Sequence, residues 1–187
     1  YSRLLVAPRT LRSGLLEKIA NETAMAKAGR ASGIQMKLNS LLDEEFVEAL
    51  YTASQAGVKV DLVVRGISSI KPGIPGLSEN VRVRSLLGRF LEHSRIYHFV
   101  NGGDDEFWIG SADLMHRNLD RRVESLVRIE RPAHKASLQE VFDLSLSEET
   151  ASWHQDQDAW KNVTKNSKGE PLQDLQNLYI KRYKKAH

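Results

Sequence analysis

Two apolar runs of strand length, Ile34-Gln-Met-Lys-Leu38 and Val58-Lys-Val-Asp-Leu-Val-Val64, bracket a segment with helical spacing. Asp43 is placed to cap that helix, and Glu44 and Glu45 fall in its first turn, where the helix dipole favours acids. Phe46, Val47, Leu50 and Tyr51 share one face, and Gly57 stops the helix. A strand, a helix and a strand in this order form a crossover unit whose two strands run parallel. Sheets of this kind take ligands beyond the C-terminal ends of their strands. Here those ends are Asn39-Ser40 and Arg65-Gly66.

The rest of the chain extends this α/β pattern. Leu4–Ala7 reads as a short strand ended by Pro8, and Leu11, Leu15, Ile19 and Ala26 give a helix up to Gly29. Ile67 to Asn80 is a long loop, and its Pro72-Gly-Ile-Pro-Gly76 core is expected to form a wall of the site. Strands are predicted at Val81–Leu86, Arg95–Val100, Glu106–Gly110 and Val123–Ile129, with Asn101-Gly-Gly103 as a hairpin turn. Pro132 opens a helix to about Glu148. A small hairpin over Trp153–Val163 and a helix over Leu172–Lys184 follow. The expected organisation is one catalytic domain over 1–150, with 151–187 appended to it. The abrupt start, without an initiator Met, reads as a piece of a longer protein.

Cysteine is absent, which excludes disulfides and thiolate chemistry. No apolar stretch reaches the roughly 20 residues of a membrane span. Between 59 and 103 there are seven Lys or Arg against three acids, a local +4, and from Pro72 to Arg131 every cation is Arg. Arginine is favoured where phosphate geometry must be matched, although a solvated basic face explains the charge equally well.

The chemistry concentrates in Glu92-His93-Ser94-Arg95 and in Gly110-Ser111-Ala-Asp113. An imidazole beside a guanidinium can work on a phosphoryl group near neutral pH, and a Gly-Ser turn can offer N–H groups and the Ser111 hydroxyl to the same anion. His98 and His116 lack such context and read as surface or supporting residues. The spacing of His93, His98 and His116 fits no common zinc motif. Trp108, in an apolar run, reads as core.

The pattern His93-x-Arg95 followed by Gly110-Ser111-x-Asp113 resembles the His-x-Lys and Gly-Ser-x-Asn signature of the phospholipase D superfamily. More closely, the chain resembles the C-terminal catalytic domain of bacterial polyphosphate kinases. The resemblance lies in Met36-Lys37-Leu-Asn39-Ser40-Leu, in Ala53–Ile67 with Arg65-Gly66, in Pro72–Val83, in Gly88–Ile96 with His93, and in Arg117-Asn118-Leu-Asp-Arg121-Arg122-Val-Glu124. The usual Lys of the wider superfamily is Arg95, the Asn is Asp113, and the position of a further Asp is Val100, which puts plain phosphodiester hydrolysis in doubt.

The resemblance implies an α/β, phospholipase D-like fold, a mixed β-sheet flanked by helices. It implies reversible transfer of the ATP γ-phosphate to inorganic polyphosphate, through a phosphohistidine supplied by an upstream domain. His93 would be the second, assisting histidine, and Arg65 and His93 would contact nucleotide phosphates. Lys37, Arg65, Arg89, Arg95, Arg117, Arg121 and Arg122 are candidates to line the polyphosphate path, with Ser111 and Asn118 as further phosphate ligands. One of Arg121 and Arg122 is expected to face the site and the other to pair with Asp120 or Glu124. Magnesium is expected to be held mainly by residues upstream. The expected partners are ATP or ADP, polyphosphate, the upstream domains and a second copy in a homo-oligomer, not nucleic acid. The expected location is cytoplasmic, with peripheral contact at the inner membrane. Alone, this chain is expected to be inactive. The alternatives are a phosphodiesterase or nuclease half-site that dimerises, and a non-enzymatic polyanion-binding module.

Overall fold

A computed structural model describes residues 3–186, with side chains through 184. The described residues form one nine-stranded sheet in the order β1-β7-β6-β5-β2-β3-β4-β8-β9. The strands are β1 (Leu4–Val6), β2 (Ile34–Leu38), β3 (Val60–Val64), β4 (Val81–Ser85), β5 (Ile96–Phe99), β6 (Glu106–Gly110), β7 (Ser125–Ile129), β8 (Ser152–Asp156) and β9 (Ala159–Val163). Helices are α1 (Leu11–Lys27), α2 (Glu44–Gln55), α3 (His116–Asp120), α4 (Pro132–Ser145) and α5 (Leu175–Ala186). β2, β3 and β4 run parallel, and every other pairing is antiparallel. The sheet is therefore mixed, and it changes direction where β2 meets β5.

Successive side chains along a strand point to opposite faces, and the core follows that period. Met36, Leu62, Val64, Tyr97 and Trp108 join one large apolar cluster beneath α1 and α2. Their chain neighbours Val63, Ile96 and Phe107 pack on the other face, with Leu175 of α5 and Phe142 of α4. Within the α1–α2 layer, Phe46 and Leu50 are fully buried; burying such a side chain contributes about 1.5–3 kcal/mol. Asp43 caps α2 by accepting from the Phe46 N–H, and Gly57, at φ +91°, turns the chain out of the helix in a conformation that favours glycine.

One element was not foreseen and one expectation needs correction. The segment His116–Asp120 is a short helix that the sequence pattern did not reveal, because five residues are too few to show a period. The Pro72–Gly76 loop does not wall the strand ends at Arg65. It lies at the other end of the parallel strands, where the Gly76 carbonyl accepts from Gln55 at the end of α2 and the chain enters β4.

Candidate active site

At the end of β2, the backbone N–H groups of Asn39 and Ser40 converge on Asp113. Asn39 donates to Asp113 Oδ1 at 2.7 Å and Ser40 donates at 3.3 Å. Consecutive N–H groups at a strand end make a small anion-binding nest, and this one holds a carboxylate of the same chain. Arg95, entering β5, closes the group. Its Nη2 lies 2.9 Å from Asp113 Oδ2 and its Nε lies 3.3 Å from Oδ1, a two-pronged grip. The pair is largely buried, with side-chain exposures of 11% and 8%. Burial opposes the charge on Asp113, but Arg95 and the Asn39 amide outweigh it and hold the carboxyl below its ordinary value.

Arg95 also sets His93. Its Nη1 lies 2.9 Å from His93 Nδ1 and donates to the His93 carbonyl at 3.0 Å. A guanidinium can only donate, so Nδ1 is the acceptor and the neutral ring carries its proton on Nε2. His93 is exposed. The tautomer is thus fixed from within the chain, and the proton-bearing nitrogen remains available.

Glu92 forms a second group. Its carboxylate takes Lys37 of β2 at 2.9 Å, with Lys37 almost fully buried. Its backbone carbonyl accepts from Arg65 at the end of β3. Burial again opposes the charge, and Lys37 and Gln176 overcome it, so Glu92 is also held below its ordinary value. Arg65 and Gly66 border a cleft of about 280 Å³ with Ser85, Leu87, Trp153 and Trp160. The two indoles line the same cleft as Arg65, a feature that the sequence reading missed. A larger cleft of about 440 Å³, lined by Glu17, Glu22 and Glu106 among others, carries the wrong charge for phosphate.

Lys37, Arg65, His93 and Arg95 therefore gather at one rim of the sheet, linked through Glu92 and Asp113. Two of these cations, Lys37 and Arg95, are already matched by carboxylates of the chain, so they build the site rather than stand free along a phosphate path. Ser111 is exposed, and its hydroxyl accepts from Ser125 N–H at 3.3 Å. Gly110 serves close packing: a Cβ there would stand 1.9 Å from the Ser125 carbonyl oxygen. Asn118 is buried and donates to Glu124 at 2.8 Å, with no partner for its Oδ1. Glu124 and Asp120 are engaged by Asn118 and Arg12, respectively. Neither Arg121 nor Arg122 pairs with them as expected. Arg89, Arg117, Arg121 and Arg122 are exposed and form no ion pair among the described residues.

Two further histidines, His98 and His116, diverge. His98 is neither a surface residue nor beside the site. It is buried between Gln35 (2.9 Å) and Asp105 (2.7 Å), and it stacks on Phe107 at 4.1 Å. Burial outweighs Asp105 and lowers its pKa. His116 is exposed and bridges Glu44 and Asp120. With separate partner sets, His93, His98 and His116 form no common metal-ligand group among the described residues. The carboxylates next to His93 do not fit a magnesium ion either, because Glu92 and Asp113 are occupied by Lys37 and Arg95. Elsewhere Asp43, Glu44 and His116 lie close enough to share a cation, yet both Asp43 oxygens are held by Arg12.

Residues 4–175 match the family model described as polyphosphate kinase C-terminal domain 2. The chain belongs to that family. It is 54% identical over 181 residues to a polyphosphate kinase of Streptomyces coelicolor, covering 96% of this chain and 24% of that protein. It is 46% identical over 189 residues to one from Mycobacterium tuberculosis, covering 98% of this chain and 25% of that protein. The polyphosphate kinase structure from Porphyromonas gingivalis superposes with a TM-score of 0.86 at 34% identity, over all of this chain and 29% of that one. The chain thus spans about a quarter of the length of the curated relatives it matches. Nuc from Salmonella typhimurium, a phospholipase D family member, shares the fold at a TM-score of 0.56 and 17% identity. The fold is phospholipase D-like, as the motif pattern implied.

Proposed function

We propose that this chain is the C-terminal catalytic part of a longer polyphosphate kinase, which moves the terminal phosphoryl group of ATP reversibly onto inorganic polyphosphate. The observation that carries the reading is His93, exposed on Nε2 and fixed on Nδ1 by Arg95 next to Arg65. Phosphoryl transfer needs positioning and charge stabilisation more than covalent work from most of the site. In this reading the residue that becomes phosphorylated is a histidine outside this chain. His93 offers its Nε2 proton to an oxygen of the transferring group. Arg65 holds a nucleotide phosphate with the N–H groups that Glu92 leaves open. The unpaired Arg89, Arg117, Arg121 and Arg122 attract the polyanion. Any magnesium that accompanies the nucleotide would be held by groups outside this chain, because Glu92 and Asp113 are taken by Lys37 and Arg95.

The test is His93→Ala in the full-length enzyme, assayed for polyphosphate synthesis and for ADP phosphorylation. Both should fall by at least about a hundredfold, the scale of a positioned proton donor, with thermal stability retained because His93 is exposed. Full activity in that variant would remove the reading.

A further inference from the structure

The middle of the loop that carries His93 is not fixed by burying its own apolar side chains. Residues 86–95 have no regular secondary structure. Leu87, Phe90 and Leu91 turn outward, at 63%, 55% and 76% exposure. The loop's outer part is met by one side chain from α5. Gln176 accepts the Phe90 N–H on Oε1 at 2.8 Å and donates from Nε2 to the Phe90 carbonyl at 2.7 Å. The same Nε2 reaches Glu92 Oε1 at 3.1 Å. The amide thus pairs with both backbone groups of one residue, as a neighbouring strand would, and only one orientation of its O and N satisfies all three contacts.

The clamp is built in from both sides. Gln176 is 9% exposed, and its neighbour Leu175 is buried against Val63 and Leu86, at the root of the loop. On the loop side, a Cβ at Gly88 would stand 2.4 Å from Gln176 Oε1, so the amide fits only because residue 88 has no side chain. The Gly88 backbone lies in a region that alanine also adopts. Glu92 carries the clamp inward, through Lys37 on its carboxylate and Arg65 on its carbonyl, to the residue beside His93.

We infer that Gln176 is a positioning residue for His93, and that α5 holds the loop in the geometry that presents the imidazole. The inference rests on the function proposed above. In the full-length enzyme, Gln176→Ala should lower kcat about 10- to 100-fold, the cost of misplacing a catalytic group by an ångström. It should also speed amide hydrogen exchange across Phe90–Glu92. Gly88→Ala, which displaces the amide without altering α5, should lower kcat in the same way. In the Gln176→Ala background the space is vacant, and Gly88→Ala should then cost nothing more.

A residue that only supported the fold would lower the melting temperature, leave kcat per folded enzyme unchanged and give additive losses in the double variant. That result overturns the inference. If Gln176→Ala does not fold, Gly88→Ala alone decides: unchanged kcat and unchanged exchange overturn the inference. The His93→Ala control separates the two readings. An active His93→Ala enzyme removes the proposed function, whereas an inactive one beside a fully active Gln176→Ala enzyme removes only the clamp.

Discussion

The segment joining β4 to β5 is gripped at two points with different chemistry. At its inner end Arg95 and Asp113 form a buried ion pair, seated on two backbone N–H groups of the β2 end. At its outer part a neutral amide from a helix more than eighty residues away holds Phe90 and Glu92. The inner grip is part of the sheet's own construction, and removing it exposes the Asn39 amide and leaves a buried guanidinium uncompensated. The outer grip touches only the loop. It can be lost while the sheet survives, so it sets geometry where the inner grip sets stability.

The sharpest way to break this comparison is to remove a carboxylate from each grip. Asp113→Ala should cost about 3–5 kcal/mol, because it strands a buried charge. Glu92→Gln should cost less, about 1–3 kcal/mol, because the amide oxygen can still accept from Lys37. Chemical denaturation of the two variants gives the order directly, and a larger loss for Glu92→Gln would reverse the assignment of roles.

Acid provides a gentler test. Both carboxyls have folded-state pKa values below their ordinary ones. Folding therefore favours their charged forms, and the stabilisation is complete above the ordinary carboxylate range, about pH 4–5. It disappears as pH falls through the depressed values. Melting temperature should drop over that acid range, and the drop should be shallower in Asp113→Ala. An equally steep drop in that variant would place the acid-sensitive group elsewhere.

Much of the fold was legible because its strands are strongly patterned. The limits of β2 and β6, the capped helix α2 and the parallel crossover all follow from period and capping residues. The inner grip was half legible: both motifs were visible, but not that Arg95 and Asp113 bind each other. Charge counting misled for the same reason. A local excess of cations says nothing about which ones are matched, and here Lys37, Arg82, Arg84 and Arg95 each meet a carboxylate. The outer grip left no trace in the sequence. A glutamine on the face of a terminal helix has no distinctive spacing, and its partners are backbone atoms, which composition does not report.

The change of direction at β2 and β5 also bears on how the molecule assembles. β2 to β4 are joined by successive crossovers, and β5 to β7 are successive neighbours in the chain, so each half-sheet closes over short distances. Their seam, where Lys37 faces Ile96, joins residues far apart in sequence, and distant pairings are entropically slow to form. We expect the seam to form after the β5–β6–β7 hairpins; pulse-labelled exchange that protects it before β6 and β7 would contradict this order. Asn39 and Asp113 come from opposite sides of that seam. A chain caught before the seam forms holds two half-sheets with open edges and no nest around a carboxylate, so the candidate site exists only once the two halves have met.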